Sequence, residues 1–204
     1  GRWGGGIAMY TGTVNLDRTM VAYNEATSED GGGILMSRGV LTAVDSEIDF
    51  NSAGGNGGGI FHARGSLTMV SVNGVSSLSV NDAERGGGLY DVSGESVIFD
   101  GGSTDGFNFN TNYARDVGGA AFLTDTTSLE ITGPVTISTN AADNHGGAFY
   151  AHNVFLALDE GPASRLVLGA GNEARNGSGG GVYAENSFVA MRGVVLGGFG
   201  LDGN

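Results

Sequence analysis

The chain has 204 residues, and its 22 acidic residues against nine basic ones give a net charge of −13. All nine basic residues are arginine, and an acidic chain of this kind argues against nucleic acid as a partner, because phosphate binding needs a basic face. The absence of cysteine excludes disulfides and thiolate-metal sites. The sequence contains no run of about 18 apolar residues, which a membrane-spanning helix would need, so we expect no membrane insertion by this segment.

Glycine accounts for 40 residues and is concentrated in recurring Gly-Gly-Gly/Ala triplets. The triplets begin at positions 4, 31, 57, 86, 118, 146 and 179, which are separated by 26 to 33 residues. From the second triplet onwards, each is preceded by an Asn-x-Ala sequence. A fixed unit with loops of variable length predicts one elongated repeat domain over residues 1–204.

Each unit contains three short extended segments that lack helical periodicity and are rich in Val, Ile, Thr and Phe. In the second unit these are Ile34–Met36, Val40–Val44 and Glu47–Phe50. Segments this short cannot complete a sheet within one unit, so each must pair with its equivalent one repeat away. The sequence therefore predicts an all-β, right-handed parallel β-helix, that is, a β-solenoid with three strands per coil and about seven coils.

The repeated Asn has a structural interpretation. Asn tolerates a left-handed backbone, so we expect it to end the third strand of each coil in a sharp turn. Its amide both donates and accepts hydrogen bonds, so Asn residues stacked coil on coil can bond to one another. The predicted structural ladder consists of Asn24, Asn51, Asn81, Asn112, Asn140 and Asn172.

Two motifs link these repeats to a known family. The first is Gly-Gly-Ala/Gly followed by an apolar residue, and the second is Phe-x-x-Asn, seen in Phe109-Asn-Thr-Asn112. Leu78-Ser-Val-Asn81 is a looser version, whereas Gly169-Ala-Gly-Asn172 departs from it. The repeats resemble those of the polymorphic outer membrane proteins, surface adhesins whose passenger domain is a β-helix. This resemblance implies an extracellular or cell-surface location and an adhesive role.

An aromatic residue recurs two positions after the last residue of five successive triplets. If Ile60 and Leu89 point into the core, the alternation of a strand puts this aromatic stripe on the outer surface. An exposed stripe would stack on sugar rings or pack against a neighbouring solenoid, whereas the reversed register would make it an interior stack. The candidate binding stripe comprises Phe61, Tyr90, Phe122, Tyr150 and Tyr183.

Catalysis is the main alternative, because many β-helices cleave polysaccharides. Glycoside hydrolysis needs paired carboxylates, and lyase chemistry needs an Arg or Lys base, commonly beside calcium-binding acids. His145-Gly146 superficially resembles part of a polygalacturonase site, yet the sequence has neither an Asp-Asp pair nor a lysine. We therefore expect no enzyme, and keep a polysaccharide lyase or hydrolase and a carbohydrate-binding module as rival hypotheses.

No metal or cofactor is expected. The histidines at 62, 145 and 152 lack a metal-ligand pattern, and Gly197-Gly-Phe-Gly-Leu-Asp202 is a solitary copy of a calcium motif that works in tandem. Asn176-Gly-Ser178 is an N-glycosylation sequon, relevant only to a source that glycosylates. Acids in the Asn-to-Gly turns would form a cation site if stacked, but solvated turn residues are the simpler interpretation. These acids are Glu25, Asp82, Glu84, Asp116, Asp143 and Glu173.

Neither end of the sequence has a recognisable polar cap, and the chain begins at Gly1 rather than Met. Lysines that discourage strand pairing at an open edge are missing. We therefore expect a segment of a longer protein, or copies that stack end to end. The overall prediction is a noncatalytic structural or adhesive element of an extracellular surface protein or filament. Its expected partners are adjoining coils or further copies, with glycans as candidate ligands.

Overall fold

The computed structural model describes residues 4–102, 106–126, 128–159 and 166–197. In these ranges the chain is all-β, and every strand pairs in parallel with its equivalent in a neighbouring repeat. These ranges contain no helix, and therefore no helix that is long and apolar enough to cross a membrane. The predicted parallel β-solenoid is confirmed.

The strands follow one another coil by coil. The first three coils contain β1 (Ile7–Met9), β2 (Thr13–Asp17), β3 (Met20–Ala22), β4 (Glu25–Ala26), β5 (Ile34–Met36), β6 (Gly39–Val44), β7 (Glu47–Asp49), β8 (Ser52–Ala53), β9 (Ile60–His62), β10 (Gly65–Val70), β11 (Ser76–Ser77) and β12 (Asp82–Ala83). The next three contain β13 (Leu89–Val92), β14 (Ser96–Asp100), β15 (Phe107–Asn110), β16 (Tyr113–Ala114), β17 (Ala121–Thr124), β18 (Leu129–Thr132), β19 (Val135–Ser138), β20 (Ala141–Ala142), β21 (Phe149–His152), β22 (Phe155–Asp159), β23 (Val167–Leu168) and β24 (Glu173–Ala174). The last described coil contains β25 (Val182–Glu185), β26 (Phe188–Arg192) and β27 (Val195–Leu196).

The strands form four sheets rather than the three expected. Three sheets have seven strands each, and the fourth has six, namely β4, β8, β12, β16, β20 and β24. The described residues thus make six complete four-strand coils and three strands of a seventh. Each strand of the fourth sheet is only two residues long and lies inside the Asn-x-Ala motif that we had assigned to a turn. These residues become strands because they pair in register with the next coil, as Glu25 does with Ser52.

The core lies inside the coil and is filled by residues that alternate with outward ones along each strand. Ile60 and Leu89 are fully buried at equivalent positions of the first sheet, as the sequence indicated. At mid-height the interior holds a cluster of four phenylalanines. The ring centroid of Phe99 lies 5.1 Å from that of Phe107 and 5.3 Å from that of Phe109. Tilted packing of this kind adds aromatic contact energy to the apolar burial.

The glycine triplet forms the corner between the fourth sheet and the first. Gly57 has a φ of +66°, a conformation that residues with a Cβ adopt at a cost. A Cβ on the second glycine, Gly58, would overlap the carbonyl oxygen of Asp82 in the next coil. The third position is less restrictive, because Ala120 and Ala148 occupy it and are buried. The stacked backbone corner therefore explains the Gly-Gly-Gly/Ala form of the repeat.

Candidate functional site

The aromatic stripe lies on the outer face of the first sheet. Its five residues occupy β9, β13, β17, β21 and β25 in strict register, for example Phe61 with Tyr90 and Tyr90 with Phe122. Their side chains are half-buried, whereas the preceding residues Ile60 and Leu89 are fully buried. The structure thus places the stripe on the surface, the first of the two orientations considered from the sequence.

The rings of the stripe stack on one another along the solenoid axis. Ring centroids lie 5.3 Å apart between Phe61 and Tyr90, and 4.8 Å apart between Tyr90 and Phe122. The next two steps, to Tyr150 and to Tyr183, are both 5.1 Å, and all four pairs of planes lie within 16° of parallel. Partial burial raises the pKa of the Tyr90 and Tyr150 phenols, chiefly by desolvation.

This stacking limits what the stripe can bind. A sugar ring packs on the face of an aromatic ring, but both faces of Tyr90, Phe122 and Tyr150 are covered by their neighbours. Only ring edges meet solvent at these three positions. At the upper end, the Tyr183 ring also lies 4.5 Å from the ring of His145. The geometry therefore favours a lateral support for the coils over the sugar platform that the sequence had suggested.

The six repeated Asn residues form one continuous hydrogen-bonded column. From Asn51 onwards, the Oδ1 atom of each accepts the backbone N–H and the side-chain N–H of the Asn one coil earlier. For Asn51 bonding to Asn81, these distances are 2.9 Å and 3.2 Å. The same side-chain nitrogen also donates to a carbonyl of the third sheet, that of Val21 in the case of Asn51, at 2.9 Å. The column runs unbroken from Asn24 to Asn172.

The left-handed residue of this corner is not the Asn, as we had expected, but the residue before it. Val80 has a φ of 57° and Thr111 a φ of 58°. The Asn cannot take this conformation because its backbone N–H and its side chain must both point at the next coil. The strain therefore falls on the preceding position, even where it is β-branched, at a cost of roughly 1–2 kcal/mol. Its occupants are Tyr23, Phe50, Val80, Thr111, Thr139 and Gly171.

The acids of the Asn-to-Gly turns form ion pairs with arginines. Arg115 lies 2.6 Å from Asp82 and 3.4 Å from Glu84, measured from guanidinium nitrogen to carboxylate oxygen. Burial raises the pKa of Asp82, and the charge of Arg115 acts in the opposite direction. Arg175 lies 3.2 Å from Asp143, which also accepts the Tyr113 hydroxyl at 2.8 Å.

Arg85 pairs in the same way with Asp116, at 2.9 Å. Glu173 lies 3.6 Å from Arg175, the arginine that also contacts Asp143. These partly exposed pairs stabilise the fold only modestly. Across the described ranges, His, Asp and Glu residues form no group of three able to hold a metal. The turns are thus a mixed-charge surface rather than a stack of free carboxylates.

One buried polar pair was missed by the sequence analysis. The Nδ1 atom of His62 lies 2.6 Å from a carboxylate oxygen of Asp91, and both side chains are fully buried. The hydroxyl of Thr126 donates to the other carboxylate oxygen. The Nδ1–carboxylate contact lacks hydrogen-bond geometry, and the Nε2 atom of His62 has no partner. The equivalent positions in adjacent coils are Met36 and Leu123, so an alignment of the repeats would have revealed polar residues in a core row.

The remaining candidates lie apart from one another. His145 accepts the backbone N–H of Ser178 at 3.0 Å, and His152 lies 3.4 Å from the Thr124 hydroxyl, measured between Nδ1 and Oγ1. Asn176 is exposed, as a glycosylation site requires. The calcium-like motif has only Gly197 within the described residues, since Asp202 lies outside them.

Comparison with known proteins gives one distant relative. Over 167 residues, the chain is 28% identical to the "Probable outer membrane protein pmp20" of Chlamydia pneumoniae. The match covers 72% of this chain, which spans only 9% of that protein's length. No family model and no solved structure matches. The similarity supports a distant relationship to the polymorphic outer membrane proteins, in agreement with the resemblance of the repeats.

Proposed function

We propose that the chain is a noncatalytic structural and adhesive element of a protein displayed at a cell surface. The observation that carries this proposal is the unbroken Asn column from Asn24 to Asn172, which hydrogen-bonds the first six coils to one another. Beside it runs the glycine corner, whose backbone groups also pair from coil to coil, as Gly5 does with Gly31 at 2.9 Å. Two parallel columns of this kind resist extension along the axis and hold the outer loops at fixed heights.

The distribution of charge supports a noncatalytic role over a polysaccharide lyase or hydrolase. A hydrolase needs two carboxylates facing a substrate groove, and a lyase needs a free base near them. Here Asp82, Asp116 and Asp143 are each held by an arginine in the turns. The His62–Asp91 pair is enclosed in the core, away from any substrate. The distant relative is a probable outer membrane protein, which supports a location at the cell surface.

Three measurements test the proposal. Antibodies raised against the folded chain should label intact cells of the source organism, and beads coated with the chain should adhere to monolayers of cultured cells. Label found only after permeabilisation would overturn the surface location. Beads coated with the urea-unfolded chain provide the control for adhesion. Turnover of acidic or neutral polysaccharides by the purified chain would overturn the noncatalytic role.

A further inference from the structure

A groove opens on the outer surface of the first three coils, where the first sheet turns into the second. It has a volume of about 490 Å³ and is lined by Tyr10, Thr11, Ser37, Arg38, Ala63 and Arg64. Neither the Asn column nor the aromatic stripe includes any of these residues. The groove is therefore a separate surface feature.

Two arginines of this groove lack acidic partners. Elsewhere in the described residues every arginine forms an ion pair, at positions 18, 85, 115, 175 and 192. Arg38 and Arg64 are both exposed and form none, although the whole chain carries a net charge of −13. Glu95 donates its backbone N–H to the carbonyl of Gly65 in the previous coil, and its side chain forms no ion pair with Arg64.

The two free charges lie side by side. Gly39 and Gly65, the residues that follow them, are direct partners in the second sheet, so the two arginines are separated by one strand spacing, about 4.8 Å at the backbone. Guanidinium groups carried by adjacent strands repel each other, and an anion bound by both would relieve the repulsion. A guanidinium offers a planar pair of donors that fits a carboxylate or sulfate group.

The rest of the lining fits a hydroxyl-bearing ring. The hydroxyls of Thr11 and Ser37 make no hydrogen bond within the described structure and are free to bond a ligand. Tyr10 is 63% exposed, and its ring stacks on no other ring of the described chain, unlike the rings of the stripe. A ring face in solvent beside two free cations and two hydroxyls has the chemistry of a site for a charged sugar.

We infer that this groove binds an acidic sugar, with its carboxylate or sulfate held by Arg38 and Arg64 and its ring packed on Tyr10. The site rests on the proposed adhesive function and gives it a ligand class. A single acidic unit is favoured over a long polyanion, because the net charge of −13 repels a chain that extends beyond the groove.

Titration calorimetry of the whole chain tests the site. The probes are short oligosaccharides ending in a uronic acid, the same oligosaccharides with a terminal sulfate, their neutral counterparts, and inorganic sulfate. We expect the acidic sugars to bind at least about tenfold more tightly than the neutral ones, with an affinity that falls as salt is raised. The uronic and sulfated series show which oxyanion the groove prefers.

The double variant Arg38→Gln/Arg64→Gln should lose at least about tenfold in affinity for the acidic sugars. Its matched control is Arg18→Gln/Arg192→Gln, which changes the net charge equally at exposed positions outside the groove and should bind normally. Tyr10→Ala should weaken sugar binding but leave any binding of inorganic sulfate unchanged.

Equal binding of acidic and neutral sugars would overturn the inference, and so would full affinity in the Arg38→Gln/Arg64→Gln variant. Tighter binding of a long sulfated polymer than of the short probes would overturn the preference for a single unit. Beads coated with the double variant separate this inference from the proposed function. If these beads adhere to cells as the parent does, and the titrations detect no preference of the parent for acidic sugars, the groove is not an acidic-sugar site. The proposed adhesive function would still stand.

Discussion

Asn112 donates two hydrogen bonds to a single atom of Asn140. Its backbone N–H and its side-chain N–H lie 2.9 Å and 3.1 Å from the Oδ1 atom of that residue. Asn81 makes the same two bonds to Asn112, so each buried Asn is donor and acceptor at once. Asp lacks the donor, and Gln is one methylene longer. Asn is thus the side chain that fits every rung of this column.

Replacing Asn112 by Ala should lower the free energy of unfolding by about 3–5 kcal/mol, because it leaves the N–H of Asn81 and the carbonyl of Leu78 buried without partners. Urea denaturation followed by circular dichroism measures the loss. Asn24→Ala is the matched control, since Asn24 is half-buried and accepts no bond from an earlier rung among the described residues, and it should cost only about 1 kcal/mol. Equal losses at the two positions would contradict a cooperative column.

Val80 is β-branched and yet has a φ of 57°. Val80→Asn should raise the free energy of unfolding by about 1 kcal/mol, because Asn adopts the left-handed conformation more readily and Val80 is partly exposed. The shift in the urea midpoint provides the measurement. Val72→Asn replaces a more exposed valine that has no positive φ, and it should change stability by less than about 0.5 kcal/mol. A loss of stability in Val80→Asn would show that the valine side chain contributes more than its strain costs.

Phe122 stacks on two rings, those of Tyr90 and Tyr150. Phe122→Ala should therefore destabilise the fold by about 2–4 kcal/mol, through lost apolar burial and two lost ring contacts, while leaving binding to neutral glycans unchanged. Among the described residues, Phe155 stacks on one ring, that of Phe188, and it is 45% exposed, so Phe155→Ala should cost about half as much. Thermal unfolding and glycan titration of both variants decide the point. Lost glycan affinity with normal stability would restore the stripe as a binding surface.

The repeated positions could be predicted from sequence because they recur in register, and a coil stacks what the sequence repeats. The Asn positions, the inward Ile60 and the outward Phe61 all follow from that rule. The fourth sheet did not follow, because a two-residue strand such as Glu25–Ala26 has no periodicity of its own. Its strand character exists only through pairing with the next coil.

Two further features depended on contacts that a single repeat does not contain. The left-handed conformation at Val80 contradicts the preference of valine and is imposed by the neighbouring Asn column. The partners His62 and Asp91 lie in adjacent coils, each three residues after the last glycine of its triplet, so they are direct register partners in the first sheet. The pair becomes visible only when successive repeats are aligned, because neither repeat contains both side chains.

Two acids of the second coil should give opposite pH dependences. Burial raises the pKa of Asp49 above its ordinary 3.8, although the Ser77 hydroxyl and the Ser79 N–H both bond it at 2.7 Å. The folded state then favours the protonated form, so the stability of the parent falls as pH rises from about 3.8 through the raised pKa. The pKa of Asp45 is lowered, mainly by the backbone N–H of Val72, so its contribution is lost as pH falls below 3.8.

Urea midpoints measured from about pH 3 to about pH 6 test this pair of signs. As pH rises, Asp49→Asn should gain stability relative to the parent, because it removes the buried charge. Asp45→Asn should fall behind the parent over the same range, because it loses a charged acceptor for three backbone N–H groups. Each variant is the control for the other, since both remove one negative charge. Slopes of the same sign would contradict the assignment.

The buried His62–Asp91 pair should be replaceable as a pair but not singly. His62→Met alone leaves the Asp91 carboxylate enclosed without its partner and should cost about 3–5 kcal/mol. The double variant His62→Met/Asp91→Leu adopts the residues that neighbouring coils carry at these positions, Met36 and Leu123. It should be about as stable as the parent or more stable by up to about 4 kcal/mol, because no charge is desolvated. A double-mutant cycle by urea denaturation at neutral pH measures the coupling. If the loss in the double variant equals the sum of the losses in His62→Met and Asp91→Leu, the two side chains are not coupled, and the pair contributes only its volume to the core.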